Sequence, residues 1–420
     1  MTFRYQKSHD LYRRAVGVIP QGIYGFKNPV ATLPGESPYY AVRASGARFW
    51  DVDGNEFIDY LCGFGPVVLG HAHDEVEEAV GEANSRGVCW NQPGEEMVEL
   101  AERMVELISV ADWAVFGKNG VDMTTWAVRV ARQHTARRKV VIAKAAYHGQ
   151  LPWCTHYRAG VTPEDRVNTL EMNWNQPETL TRLVDQYPND VAAVMLTPYQ
   201  HPFAGLPEMP AAGFWKEIRR ICDREGIVLI LDDVRPGFRL SVHGSHERFG
   251  IDPDMVCYSK AIGNGHPIAA AVGKQDLRGA AEAIFTAGTY WYSAGPMAAA
   301  LTVLRILEET DAIDHMARLG QRWQDEMTDL AEKAGCPVTF AGPPGLTYMT
   351  FEGDRDFYLM QRFSAEMMAR GIFLHPYHHM FITAAHTDDD IDQTLEAAEE
   401  ALEAAIRART IDAASVGASS

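Results

Sequence analysis

The chain has 420 residues, enough for two domains or for one large domain with a smaller lobe. Its 56 acidic against 38 basic residues leave a net charge of −18, which disfavours nucleic acid and anionic membrane surfaces as partners. Six scattered cysteines (Cys62, Cys89, Cys154, Cys222, Cys257 and Cys336), with no C-x-x-C pair, argue against a disulfide framework or a zinc site and fit a reducing compartment.

The first residues, Met1-Thr-Phe-Arg-Tyr-Gln-Lys7, are polar and lack the apolar core of a signal peptide. No apolar run approaches the roughly 18 residues that span a bilayer, so a soluble, cytoplasmic protein is expected. Residues Ser8 to Val18 carry a short helical pattern, followed by a Pro/Gly-rich passage from Pro20 to Pro38. Tyr39 to Tyr60 reads as a hairpin turning at Asp53-Gly54-Asn55, Asp-Gly being a strong turn signal. Amphipathic helices follow near 74–85 and 95–107. His71 and His73 precede the first of them, but no third ligand is spaced to join them and no metal is expected. A strand over 113–116 runs into Gly117-Lys-Asn-Gly-Val-Asp122 and then a helix from Met123 to about Thr135. Strand, small-residue turn and helix N-terminus together outline an anion cradle, with Asp122 placed to complement the terminus.

Lys139 to Ala143 and Val191 to Leu196 read as buried strands. Ala146-Tyr-His-Gly149 and an irregular stretch to about Pro188 follow the first; Thr197-Pro198 follows the second. A helix over 214–225 leads to Ile227-Val-Leu-Ile-Leu231, the unbroken apolar run of a central parallel strand covered on both faces. Asp232 and Asp233 stand where that strand stops, at the edge where open α/β sheets bind ligands. A second apolar strand, Asp254 to Tyr258, ends at Ser259-Lys260 and a Gly-rich turn. Strand–helix alternation over about 110–275 implies a mostly parallel sheet with right-handed crossovers. Gly288-Thr-Tyr-Trp-Tyr-Ser-Ala-Gly-Pro296 is an aromatic loop before a helix over 297–309. Helices (315–334, 356–370) then alternate with short strands (346–351, 372–374), and a helix over 388–407 precedes a small, polar tail.

A lone lysine is ordinarily solvated surface, and an aspartate after a strand is ordinarily a cap. Their pairing at two strand ends says more. A lysine in a dry cleft loses its proton near neutrality and attacks carbonyls, while an opposed aspartate can hold a proton on a heteroaromatic nitrogen. Pyridoxal phosphate (PLP) needs both: an anchor for its aldehyde and a partner for its pyridinium that makes the ring an electron sink.

Asp51-Val-Asp-Gly-Asn55, Gly70-His-Ala-His73, Tyr147-His-Gly149, Asp232-Asp-Val-Arg-Pro-Gly-Phe-Arg239, Ser259-Lys260 and Gly288-Thr289 follow the order of the blocks of class III, fold-type I PLP aminotransferases. From about Ala44 to Asp392 the chain resembles their glutamate-1-semialdehyde aminomutase-like branch. The resemblance implies an α/β fold: a mostly parallel central sheet in a large PLP-binding domain (76–304), and a smaller α+β domain from both chain ends (1–75 and 305–408), with 409–420 a flexible tail. It implies that Lys260 is the internal-aldimine lysine and the proton carrier, and that Asp232 partners the pyridine nitrogen. Val234 and Tyr147 would hold the two faces of the ring, with His148 beside them. Asn119, Gly120 and Val121 would form the phosphate cup. Thr289 would reach the phosphate of a neighbouring subunit, in a homodimer with shared sites.

The departures from the family pattern bear on the substrate. Asn119-Gly-Val-Asp-Met123 stands for the usual Ser-Gly-Thr-Glu-Ala, Asp232-Asp233-Val234 for Asp-Glu-Val, and Thr197-Pro198 for Glu-Pro; the spacing from Thr289 to Pro296 is longer than usual. His375-Pro-Tyr-His-His-Met-Phe381 replaces the arginine-bearing segment by which many members grip a carboxylate. The Asn-Gly-x-Asp variant is similar to class III enzymes of amino-sugar and aminoglycoside (antibiotic) pathways. The expected activity is amino transfer, in a ping-pong cycle, from a donor such as glutamate to a sugar or aminoglycoside carbonyl, the 6′-aldehyde being one candidate. His201, Tyr290, Trp291, Tyr292, His378 and His379 are candidate substrate contacts, and Arg235 a candidate cation for the donor's carboxylate. The alternatives are an aminomutase or epimerase using the same half-reactions, or a non-catalytic PLP-fold binding protein. The acidic charge and the lack of a helix-turn-helix extension speak against DNA regulation.

Overall fold

The computed structural model describes residues 3–25, 28, 33, 37–202 and 205–417, with side chains to residue 409. The N-terminal elements are α1 (Gln6–Ala15), β1 (Ala41–Ser45), β2 (Arg48–Asp51) and β3 (Glu56–Asp59). Then come α2 (Asp74–Ser85), α3 (Glu95–Leu107), β4 (Trp113–Gly117), α4 (Gly120–Thr135), β5 (Lys139–Ala143), α5 (Pro163–Arg166), β6 (Thr169–Met172) and α6 (Pro177–Gln186). β7 (Val191–Leu196), α7 (Phe214–Glu225), β8 (Val228–Asp232), α8 (Ser245–Phe249), β9 (Met255–Tyr258), β10 (Ala269–Gly273), α9 (Arg278–Ala283) and α10 (Ala294–Glu309) follow. The chain closes with α11 (Ala312–Lys333), β11 (Val338–Ala341), β12 (Leu346–Phe351), α12 (Tyr358–Met368), β13 (Ile372–Phe373), β14 (Met380–Phe381) and α13 (Asp388–Gly417).

The chain divides into two compact units. The larger comprises Gly65–Val67 and Asp74–Ile313; the smaller comprises Met1–Phe64, Val68–His73 and Asp314–Ser420. A boundary at 304/305 would cut α10, which lies wholly in the larger unit and packs on α2 and α3.

The larger unit holds a seven-stranded sheet in the order β4-β10-β9-β8-β7-β5-β6. All its pairings are parallel except those of β10, which runs antiparallel to both β9 and β4. β5, β7 and β8 are buried at every position, which is why they read as continuous apolar runs. α4 covers one face, where Met123, Trp126 and Val130 pack with Val140, Ile142, Met195 and Ile230. Each fully buried aliphatic side chain of that kind contributes about 1.5–3 kcal/mol.

In the smaller unit β13 pairs parallel with β3, so the sheet β1-β2-β3-β13 is built from both chain ends. The hairpin expected over 39–60 is present as β2 and β3. Asp51 fixes its turn, Oδ1 accepting from the N–H groups of Asp53 at 3.0 Å and Asn55 at 2.8 Å. A second sheet has the order β11-β12-β14.

The stretch read as irregular to 188 contains α5, β6 and α6. β6 is an edge strand of mixed polarity (Thr-Leu-Glu-Met) and shows no apolar run. α13 continues past Arg407 to Gly417, and residues 418–420 of the expected tail lie outside the described residues. Among the described residues no helix is long and apolar enough to cross a membrane.

Candidate active site

The strands β4, β5, β7, β8 and β9 run the same way, so their carboxyl ends share one edge of the sheet. β8 ends there at the buried Asp232. Its Oδ2 lies 2.6 Å from Nδ1 of the buried His148, and its Oδ1 accepts from the N–H of Val234 at 3.1 Å. A carboxylate only accepts, so the bonded nitrogen of His148 is the donor. Nε2 on the far side of that ring is buried, with no hydrogen-bond partner among the described residues.

The loop that carries His148 is tied down twice. Thr124 Oγ1 donates to His148 O at 2.9 Å. Gly149 has a φ of +124°, and a Cβ there would stand 2.3 Å from Val121 Cγ2, so only glycine fits.

β9 delivers Lys260 through the buried, extended Ser259, whose Oγ donates to Ile268 O at 2.9 Å. Lys260 itself has a φ of +53°, in the left-handed region that side-chain-bearing residues seldom occupy outside turns and functional sites. Burial of its amine lowers the pKa to about 7; nearby Arg235 reinforces the shift and Asp232 opposes it. At neutral pH much of that amine is unprotonated and nucleophilic.

His201, also buried, sits among the same charges. Burial first, then Arg235, Lys260 and His148, hold its pKa well below the usual histidine range, so its ring is neutral. Tyr147 is more open, and its hydroxyl is pushed up by burial and then by Cys154, with Arg235 and Asp232 among its charged neighbours.

The expected anion cradle is formed at the start of α4. Asp122 Oδ2 accepts from the N–H groups of Lys118 at 3.1 Å and Asn119 at 2.8 Å. That leaves the first amides of the helix, at Gly120 and Val121, for another anion. A Cβ on Gly120 would stand 2.8 Å from Val234 Cγ1, so the cradle and the residue after Asp232 touch across this glycine. Gly120→Ala is expected to weaken PLP binding about tenfold or more while the apoprotein still folds, checked by titrating apoprotein with PLP and comparing far-UV spectra.

Asp232, Val234, Lys260, Tyr147, His148, His201, Asn119, Gly120 and Val121 are thus brought to one region. The aromatic loop is placed elsewhere in the same unit. Gly288, Trp291 and Tyr292 line a cavity of about 390 Å³ with Trp113, Val115 and Trp126, along the edge strand β4. Thr289 O accepts from Cys89 Sγ at 3.6 Å, and Tyr290 is largely exposed. His378 and His379 belong to the smaller unit, in an aromatic cluster. His378 meets Phe64 edge-on at 4.8 Å, and His379 meets Tyr348 at 5.5 Å. Among the described residues no group of three or more His, Cys, Asp or Glu side chains is placed to hold a metal.

Sequence reasoning assigned no role to two buried groups at these strand ends. Tyr199 follows β7, fully buried, with no hydrogen-bond partner for its hydroxyl among the described residues; its position three residues past a buried strand was the available signal. Asp233 is fully buried behind Asp232, with Oδ2 accepting from Ser245 N–H at 2.8 Å. Burial raises its pKa to about 7, Ser245 holds it back, and Asp232 adds to the rise. The unfolded chain gives up this proton near pH 4, while the fold keeps it to about pH 7. The native state therefore binds the extra proton between those values, and stability falls as pH rises through the window. Asp233→Asn should remove that slope. Melting temperatures from pH 4.5 to 7.5 would then show the wild type losing ground to the variant as pH rises, levelling above about 7.

A seven-stranded sheet with a buried acid and a partly neutral lysine at adjacent strand ends, beside a helix N-terminus, defines a fold-type I PLP enzyme. The family model for class-III aminotransferases matches residues 32–402. An aminopentol aminotransferase of Sphingopyxis macrogoltabida is 39% identical over 401 residues, covering 96% of this chain and 95% of that protein. A glutamate-1-semialdehyde 2,1-aminomutase of Desulfitobacterium hafniense is 32% identical over 432 residues, covering 96% and 99%. The solved PLP internal aldimine form of the FumI protein of Sphingopyxis sp. MTA144 superposes with a TM-score of 0.94 at 38% identity, over 96% of this chain and 97% of that one. The chain belongs to the class III aminotransferase family; it is a PLP-dependent aminotransferase. Its residues fit the cofactor: a lysine amine with a lowered pKa, a buried carboxylate held by histidine, and an amide cradle that a single Cβ would fill.

Proposed function

We propose that the enzyme moves an amino group from an amino acid, glutamate in the first instance, to a carbonyl on a sugar, an aminoglycoside or a comparable polyhydroxylated compound in the cytoplasm. The observation that carries the reaction is the lysine of lowered pKa in the electrostatic reach of the His148-bonded Asp232. The similar protein named for an aminopentol supports a hydroxyl-rich partner. Bound PLP supplies an aldehyde that condenses with amines and a ring that accepts electrons.

Lys260 would hold the aldehyde of bound PLP and, as a free amine of lowered pKa, would serve as the base that moves the proton. Asp232, fixed by His148, would hold the proton on the ring nitrogen. Val234 and Tyr147 would bracket the ring, and Asn119, Gly120 and Val121 would bind the phosphate. His201, whose ring lies among the charges around Lys260, would contact the substrates. Thr289 reaches the phosphate of a second copy, so the working form is a homodimer with shared sites. The exposed Tyr290 and the apolar cavity beside β4 suit burial against such a copy.

Purified protein incubated with PLP, glutamate and a panel of oxidised aminoglycosides and polyols should give an aminated product and 2-oxoglutarate by mass. Similarity to the aminomutases keeps one rival in view. An amino compound converted to its isomer without release of any oxo acid would favour the mutase.

A further inference from the structure

Asp233 is a buried acid for which the proposed reaction has no use. Its N–H donates to Cys257 O at 2.9 Å and its Oδ2 accepts from Ser245 N–H at 2.8 Å, but its Oδ1 has no hydrogen-bond partner among the described residues. Three more polar atoms of buried residues share that condition: Ser245 Oγ, His246 Nδ1 and Tyr258 Oη. Buried polar groups of folded proteins are almost always satisfied, and four in one place call for a common partner.

Two glycines show how close the four stand. A Cβ on Gly237 would lie 2.8 Å from Tyr258 Cδ1 and 3.2 Å from Asp233 Cγ. A Cβ on Gly244 would lie 2.4 Å from Tyr258 Oη and 2.8 Å from His246 Nδ1. The phenol of Tyr258 therefore passes Asp233 with its ring and meets the imidazole with its hydroxyl. Ser245, bonded to Asp233 through its N–H, stands between Gly244 and His246 in the chain. His246 leads outward: its Nε2 lies 3.1 Å from Oγ of Ser109, an exposed residue.

The donors and acceptors of the cluster identify the partner. Oδ2 of Asp233 is taken by an N–H, so the proton that this carboxyl keeps to about pH 7 sits on Oδ1. Burial keeps the Tyr258 phenol protonated and the His246 ring neutral. With Nε2 of that ring donating to Ser109, Nδ1 accepts. Two O–H donors, a nitrogen acceptor and a serine hydroxyl that does either suit a molecule that both gives and takes hydrogen bonds. A cation would meet the two protons, and an anion the nitrogen lone pair. We infer that Asp233, Ser245, His246 and Tyr258 hold one internal water molecule, which with His246 and Ser109 forms the route by which Asp233 exchanges its proton with solvent. Oδ1 passes its proton to the water, the water passes one of its own to Nδ1, and Nε2 releases one to Ser109 and the surface. The carboxyl is left ionised, the water is restored, and the imidazole ends as its other neutral tautomer.

Infrared spectra of the holoenzyme at about pH 6 should contain a protonated-carboxyl band that Asp233→Asn removes. On transfer to deuterium oxide, the relay requires that band to shift at least about tenfold faster in the wild type than in His246→Phe, with Tyr258→Phe slowed less. Amide exchange in β8, followed in the same samples, should not slow in either variant, so a slower carboxyl cannot be laid to a tighter fold. A crystal of the wild-type holoenzyme tests the water even where His246→Phe fails to fold. It should show one water about 2.6–3.2 Å from Asp233 Oδ1, His246 Nδ1 and Tyr258 Oη. Equal carboxyl exchange in the wild type and both variants would overturn the inference, as would side chains that bond one another directly with no water between them. An anomalous signal at this place after soaking in rubidium chloride would overturn it too, by making the cluster a cation site.

Discussion

Lys260→Ala is expected to fold, to bind PLP only reversibly, and to transfer amino groups at least about a thousandfold more slowly than the wild type. Two losses combine. The amine whose pKa stands near 7 is gone, so borohydride fixes no cofactor to the protein. The base that moves the proton is also gone, a role that contributes about 10²–10⁴ in rate. Added methylamine should restore part of the proton transfer without restoring the covalent attachment. Peptide mapping after borohydride treatment of the wild type should find the label on Lys260. Label on another residue would show the anchor to be misassigned.

Asp232→Asn should lower the rate about a hundred- to a thousandfold while PLP still binds. The asparagine keeps the shape of the side chain but lacks the charge that is proposed to hold a proton on the ring nitrogen. His148 meets Asp232 at 2.6 Å with both groups buried, so removing the charge also leaves that imidazole without its carboxylate. Reconstitution with a cofactor whose ring nitrogen is permanently alkylated is the discriminating measurement. It should narrow the gap between variant and wild type if the aspartate acts through that atom. An unchanged gap would mean that Asp232 acts only by placing His148.

Much of this was legible in the sequence because burial writes itself into composition. β5, β7 and β8 are covered on both faces and appear as uninterrupted apolar runs, so Asp232 could be placed at a strand end from its neighbours alone. α2 and α3 keep one face buried, and their periodicity gave their limits to the residue. β10 was harder. Ala269-Ala-Ala-Val-Gly273 is poor strand material by propensity and becomes a strand because β4 and β9 flank it. The bond between His148 and Asp232 joins positions far apart in the chain, and no local spacing announces it. The left-handed backbone at Lys260 is equally silent, since lysine has no preference for it. Tyr199 was visible only as a residue type, and its burial without a hydroxyl partner among the described residues is set by the fold.

The place of β10 has a further effect on how a newly made chain matures. β4 bonds to no other strand of its sheet, and its partner in that pairing starts at Ala269, opposite Gly117. A ribosome must therefore finish residue 273 before the earliest strand of the sheet can dock, and the cradle at Gly120 hangs from the end of that strand. A nascent polypeptide stopped short of β10 accordingly lacks the strand to which β4, and with it the amides at Gly120, is joined.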